Sequence, residues 1–262
     1  MRLYLAVTLI ALAAGAPAQT RYSGPRTADG KPDINGIWQS LTTANWDLLP
    51  HAAAAGPVLA LGAAGAQPPG LGVVEGEEIP YLPAAAAQKK KNGEHWLTQD
   101  PEVKCFLPGV PRATYLPYPF QIVQTPATVV ITYQFASATR LIPIKARTED
   151  SPADSWMGDS YGKWEGDTLV VDVKGFTDGT WLSRAGDFHS DELHVVERYS
   201  PLSREVIQYE ATIEDPKTFT RPWKISMPLY RHLEKNAQLL EFKCVEFVEE
   251  LMYGPLRKQT SK

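Results

Sequence analysis

Residues 156–199 read WMGDSYGKWEGDTLVVDVKGFTDGTWLSRAGDFHSDELHVVERY, and this stretch decides the fold class. Within it Leu169, Val171 and Val173 alternate with Val170, Asp172 and Lys174. Further on, Leu193, Val195, Glu197 and Tyr199 alternate with His194, Val196 and Arg198. A period of two places successive side chains on opposite faces of a strand. Turn formers at Glu165-Gly166-Asp167 and Thr177-Asp178-Gly179 interrupt the runs, so the stretch reads as two consecutive hairpins. Its polar residues are then expected to return to one end of a β structure. Three of the seven tryptophans and two of the five histidines fall here, which makes it the expected chemical centre.

The same period extends on both sides. Val129, Ile131, Tyr133 and Phe135 alternate with Thr128, Val130, Thr132 and Gln134, and Arg140, Ile142 and Ile144 with Leu141 and Pro143; Tyr209, Ala211 and Ile213, then Trp223, Ile225, Met227 and Leu229, keep the same period. Sequential strands with short connections form an antiparallel meander, and closing it removes the exposed edges. The expected fold is mainly β, an antiparallel up-and-down β-barrel of lipocalin-like type. An irregular Pro/Ala/Gly-rich N-terminal extension with one short helix precedes it. That helix is placed at Pro83–Lys91, with Pro83 in its first turn, four alanines after it and Asn92-Gly93 as a stop. Gly36–Ser40 reads as a short strand. Residues 48–71, rich in Ala, Gly and Pro, lack periodicity and read as a surface segment, either poorly ordered or a lid over the barrel mouth. The proline-rich run 101–120 reads as an irregular wall, and residues 233–262 stay open between helix and strand. The expected boundaries are 1–18 for a leader, 19–104 for the arm, loop and helix, and 105–262 for the barrel.

The leader MRLYLAVTLIALAAGAPAQT has Arg2 as its positive region, Leu3–Ala14 as its apolar core and Ala16-Pro17-Ala18 as a small-x-small site. It reads as a signal peptide cleaved after Ala18, and its apolar run is too short to span a bilayer. The expected address is periplasmic or secreted. A formal net charge of −4 argues against nucleic acid or an anionic membrane as partner, since both favour a basic face. Lys89-Lys90-Lys91 reads as a solvated helix end. The two cysteines, Cys105 and Cys244, are expected to form a disulfide in an oxidising compartment, contributing roughly 4–5 kcal/mol through loop closure. Neither has a CxxC or CxH neighbour, so no metal site is expected from them.

Candidate site residues follow from breaks in the pattern. Glu197 shares a face with Leu193, Val195 and Tyr199, and Arg140 shares one with Ile142 and Ile144. A charge on an apolar face must be paired or neutralised, so the two are expected to meet. Such a pair is a structural tie, or at a cavity floor it polarises a ligand carbonyl. His189 and His194 lie among Asp187, Asp191 and Glu192. Three readings stay open for them: hydrogen-bonded loop histidines, one general acid/base, or a two-histidine metal site. Gly158-Asp159-Ser160-Tyr161-Gly162 matches G-x-S-x-G, but a hairpin follows it instead of the helix that a nucleophile elbow needs. Trp164, Trp181 and Tyr209 are expected to line an aromatic pocket. No phosphate loop, dinucleotide fingerprint or haem-attachment motif occurs, so no cofactor is expected.

The segments TADGKPDINGIWQ (27–39), EIPYLPAAA (78–86), KCFLPGVPRATYLPYPFQIVQTP (104–126), the block 156–199 and EATIEDPKTFTRPWKISM (210–227) carry a resemblance. Together they resemble a family of exported hypothetical proteins of soil bacteria, over nearly the whole chain after the leader. The resemblance implies export and a domain boundary after the leader, and it implies no reaction. Where the family pattern has Cys-His-Glu-Gly-Asn, this chain has Cys244-Val245-Glu246-Phe247-Val248, so no role for that histidine carries over.

The resulting expectation is an exported barrel enclosing a small apolar or aromatic organic ligand, with Arg140, Glu197, His189, His194, Trp164, Trp181 and Tyr209 as contacts. The alternatives are a cofactor-free isomerase, lyase or hydrolase using His189 or Asp159 as acid/base in the same cavity, and a structural or interaction module.

Overall fold

A computed structural model describes residues 22–56, 61–63, 66–149, 153–248 and 251. Residues 1–21, which include the stretch read as a leader, and parts of the 48–71 and 233–262 segments lie outside the described residues. Among the described residues nine strands form one antiparallel sheet: β1 (Gly36–Ser40), β2 (Phe120–Gln124), β3 (Thr128–Tyr133), β4 (Thr139–Pro143), β5 (Asp159–Glu165), β6 (Thr168–Lys174), β7 (His194–Pro201), β8 (Val206–Glu214) and β9 (Trp223–Arg231). Their order is β4-β3-β2-β1-β9-β8-β7-β6-β5, so each strand lies beside its neighbours in sequence and β1 pairs with β9. This is an up-and-down barrel, nearly closed.

The remaining junction, β4 against β5, must differ from the rest. Eight antiparallel pairings reverse direction eight times, so in a ring of nine the last junction is forced to be parallel. Only one backbone bridge forms there among the described residues, Ile144 with Gly162, and it is parallel. The seam is close where it exists: a Cβ on Gly162 would sit 2.9 Å from Ile144 Cδ1 and 3.0 Å from Ile142 Cγ2.

Alternation is clean in β3, β7, β8 and most of β9, where every second residue is buried. The inward face carries Trp38, Phe120, Tyr133, Ile142, Val171, Tyr199, Tyr209 and Leu229, each at most 2 % exposed. A barrel of about eight strands is just wide enough for side chains to fill it. Both ends are covered. At the lower end, residues 22–35 cross the short turns: Arg26 is bidentate to Asp167 (2.7 and 2.9 Å), and Trp38 Nε1–H donates to the carbonyl of buried Ile34 (2.9 Å). At the upper end lie the 72–82 segment, the loop 175–193 and α1 (Pro83–Glu94), with the single turns α2 (Trp96–Gln99) and α3 (Arg112–Tyr115).

Three features differ from the expectations. First, β1 belongs to the segment read as an arm, and the sheet runs across the boundary drawn at 104/105. Second, α1 continues past Asn92-Gly93 to Glu94. Gly93 serves close packing there, since a Cβ would lie 2.6 Å from the Ala185 carbonyl oxygen, and Asn92 donates to the Gly186 carbonyl (3.3 Å). Third, the second hairpin of the 156–199 stretch is not tight, because β6 and β7 pair but are joined by the long loop 175–193.

Candidate functional site

Apart from Trp164 and the two cysteines, the residues singled out by sequence fall into three separate places. The first is the barrel centre. Arg140, inward on β4, donates through Nη2 to Glu197 Oε2 (2.5 Å) and through Nη1 to Glu197 Oε1 (3.2 Å). It also donates to Tyr133 Oη (3.2 Å) and Ser160 Oγ (3.0 Å). Tyr199 and Tyr209 both donate their hydroxyls to Glu197 Oε1 at 2.9 Å. Burial works against the charge on Arg140, but the Glu197 carboxylate outweighs it and holds the guanidinium protonated. Burial, helped by the same carboxylate, pushes the Tyr199 and Tyr209 phenols well above their ordinary range. The donors and acceptors are turned on one another, with only Arg140 Nε left without a partner. The cluster ties β4 and β5 to β7 across the seam from inside.

The second place is the outer wall of the same seam. Asp159 is on β5 next to Ser160 but faces the other way, so it does not share a cavity with Arg140. Arg147, from the chain leaving β4, donates to Asp159 Oδ2 (2.8 Å), Asp172 Oδ2 (2.8 Å) and the Asp159 carbonyl (2.6 Å). Its guanidinium lies 4.5 Å over the Tyr161 ring. His194 Nε2–H donates to Asp172 Oδ1 (2.7 Å), and its Nδ1 is 3.5 Å from Glu214. The His194 hydrogen bond, with Arg147 against partial burial, holds the Asp172 carboxyl at about 2. Arg140 inside and Arg147 outside therefore fasten a junction that has few backbone bonds. The letters of G-x-S-x-G acquire a structural sense: Gly158 takes φ +65° ahead of β5, Ser160 accepts from Arg140, and Gly162 lets β4 approach.

The third place is the upper loop. His189 is 2 % exposed, donates Nδ1–H to the Ser190 carbonyl (2.7 Å) and accepts at Nε2 from Thr180 Oγ1 (2.5 Å). Burial lowers its pKa, which keeps the ring neutral. It does not converge with His194, which lies on the outer wall. Among the described residues no group of three His, Cys, Asp or Glu is placed to hold a metal ion. Trp181 is buried in this loop, and Trp164 is half-buried on β5, with Lys31 Nζ 5.9 Å from its ring. Asp187, named in the sequence only as a carboxylate near the two histidines, is fully buried beneath α1. It accepts from Tyr81 Oη (2.8 Å) and Ser183 Oγ (2.5 Å), and burial raises its pKa. Nothing in the aperiodic loop sequence separates it from its neighbours.

A fourth place carries a pocket that the sequence did not indicate. After β9 the chain runs as a mostly exposed strap over the side of the upper end. The Cys105–Cys244 disulfide fastens it (Cα–Cα 5.7 Å), with Phe247 N–H to the Val103 carbonyl (2.7 Å) and Leu240 N–H to Gln134 Oε1 (3.1 Å). Between strap and barrel lies a pocket of ≈ 210 Å³. Phe242 on the strap meets Tyr118 and Phe135 on the barrel, at ring separations of 5.2 and 4.9 Å. Leu97, Val103, Val245 and Val248 complete its apolar walls, with Glu102 and Arg184 at the polar end. That end is rigid. Glu102 is held by Arg112 (2.7 Å) and Arg184 (3.1 Å), Arg112 is bidentate to Asp100, and Arg184 sits between the Trp46 and Trp96 rings (4.5 and 4.7 Å). Burial disfavours the Glu102 charge, yet the two arginines bring its pKa below the ordinary range.

Comparison with family models, curated proteins and solved structures finds no match for the chain.

Proposed function

We propose that this chain is an exported barrel that binds a small aromatic or apolar organic molecule, with its binding pocket between the barrel and the disulfide-fastened strap. Export rests on the leader pattern, on the soil-bacterial resemblance and on the disulfide. It also agrees with the lack, among the described residues, of a helix able to cross a membrane. The observation that carries the binding proposal is the aromatic corner of Tyr118, Phe135 and Phe242 closing on an apolar pocket with one fixed polar end. Binding sites for small organic molecules combine an apolar lining with a few placed polar groups in this way. At ≈ 210 Å³ the pocket is smaller than the ~300–1,000 Å³ of drug-sized sites, which selects a single-ring molecule.

The barrel interior is a poorer host. Its central polar groups, Arg140 Nε apart, are bonded to one another, and large side chains fill the positions around them. The acid/base reading draws no support from the geometry, because both His189 nitrogens are engaged in a buried site and Asp159 is bound to Arg147.

Calorimetric titration of the oxidised protein, without its leader, with p-cresol tests the proposal. The expected dissociation constant is on the order of 0.1 mM, the range open to so small a ligand. Val245 lines the pocket yet is 54 % exposed, so Val245→Trp fills the pocket at little cost in stability. That variant is expected to bind at least about tenfold more weakly. Unchanged binding by Val245→Trp, or no binding by either protein, overturns the proposal.

A further inference from the structure

The outward face of β5–β7 breaks its own pattern at β6. Residues 168–171 are buried in succession, although alternation should turn Thr168 and Val170 outward. Val170 is 4 % exposed on the solvent side of the barrel. It is covered by the chain leaving β4 and by long side chains of the neighbouring strands, which together enclose a groove of ≈ 390 Å³. Val170 and Val196 form its apolar floor, and Tyr161 stands as an aromatic wall with Arg147 stacked on its ring. The size and the apolar floor match a site for a small organic molecule.

The rim is unbalanced in charge. Lys163 Nζ is 2.7 Å from Glu165 Oε1 and Arg198 Nη1 is 2.9 Å from Glu165 Oε2, so two cations share one carboxylate. Lys145 makes no ion pair among the described residues, and its Nζ lies 5.6 Å from the Tyr161 ring centroid. Asp172, the other carboxylate of the groove, is turned to Arg147 and His194. Three cations therefore face a single rim carboxylate, on a chain whose formal net charge is −4.

We infer that this outer groove is a second ligand site, which takes a small organic carboxylate with a flat apolar body. The body lies on Val170 and Val196 beside Tyr161, and the carboxylate meets the Lys145 ammonium and the Lys163/Arg198 rim. An inorganic anion has no use for the apolar floor, and a neutral ring gains nothing from the rim. The site is independent of the strap pocket, since the two share no lining residue.

Benzoate and its neutral analogue benzamide are the probes, followed by amide NMR shifts and calorimetry. The protein used carries Val245→Trp, so that the strap pocket is filled. Benzoate is expected to shift amides of 161–163, 170–172 and 196–198, to bind more tightly than benzamide, and to weaken as salt rises. Lys145→Gln is expected to weaken benzoate about three- to fivefold, the worth of one exposed ion pair, and to leave benzamide unchanged. Equal binding of the two probes, an unchanged benzoate affinity in Lys145→Gln, or no shift of these amides at millimolar benzoate would each overturn the inference. Retention of groove binding together with loss of p-cresol binding in Val245→Trp separates this site from the strap pocket.

Discussion

Glu197 and Arg140 are two charges with almost no exposure, so each depends on the other for its solvation. Removing one partner strands the other. Glu197→Leu alone is expected to cost about 3–5 kcal/mol in urea unfolding, and the double variant Arg140→Leu/Glu197→Leu is expected to recover most of that loss. If the double variant is as unstable as the single one, the pair is not the seam tie described. Titration of single residues gives a second prediction. The depressed pKa of His189 means that the unfolded chain binds the extra proton first, so its contribution to stability is full above the ordinary histidine value of about 6.5 and declines as pH falls below it. Asp172, at about 2, contributes stability that is full above the ordinary carboxylate value and is lost as pH falls from about 4 towards 2. Asp172→Asn is expected to flatten the pH dependence of the melting temperature in that lower window and leave the upper one intact. Arg140 and Glu197 were legible in the sequence because each breaks a period of two on an apolar face. Arg147 was not, because it sits in aperiodic chain where no pattern exists to be broken, and Asp187 was seen only as a neighbour of the histidines, with nothing in its loop to mark it as buried.

At the scale of elements, the strands were legible, and what joins them was not. The turn between β5 and β6 follows from Gly166-Asp167, with Gly166 at φ +61°, whereas the loop 175–193 is shaped by contacts with α1 and residues 45–46 that no local pattern announces. Gly158 is the sharpest local requirement at the seam, since a side chain there would need positive φ and would place Cβ 2.8 Å from Phe176 and Val173. Gly158→Ala is expected to lower stability by about 2 kcal/mol or more, measured by urea unfolding. The strap depends on its disulfide. With a sequence separation of 139 between the cysteines, loop closure predicts that Cys105→Ser/Cys244→Ser loses up to roughly 5 kcal/mol. Amides of residues 240–248 are expected to lose hydrogen-exchange protection in that variant while β7 and β8 keep theirs. Equal loss in both regions would mean that the strap and barrel unfold as one unit.

At the scale of the molecule, the meander was legible from spacing alone, but its closure was not. Nine strands force one parallel junction, and the protein places it between β4 and β5, where two arginines and one glycine do what a hydrogen-bond ladder does elsewhere. The sequence pattern suggested an enclosed cavity because it showed aromatic and polar residues on inward faces; only packing shows that they fill the space themselves. Both proposed binding surfaces accordingly lie outside the barrel. Methyl-resolved NMR of the oxidised wild-type protein titrated with p-cresol tests this most directly. Shifts are expected at Leu97, Val103, Val245 and Val248, with Ile131, Val171 and Val195 of the barrel interior unmoved. Shifts concentrated on those interior methyls would contradict it.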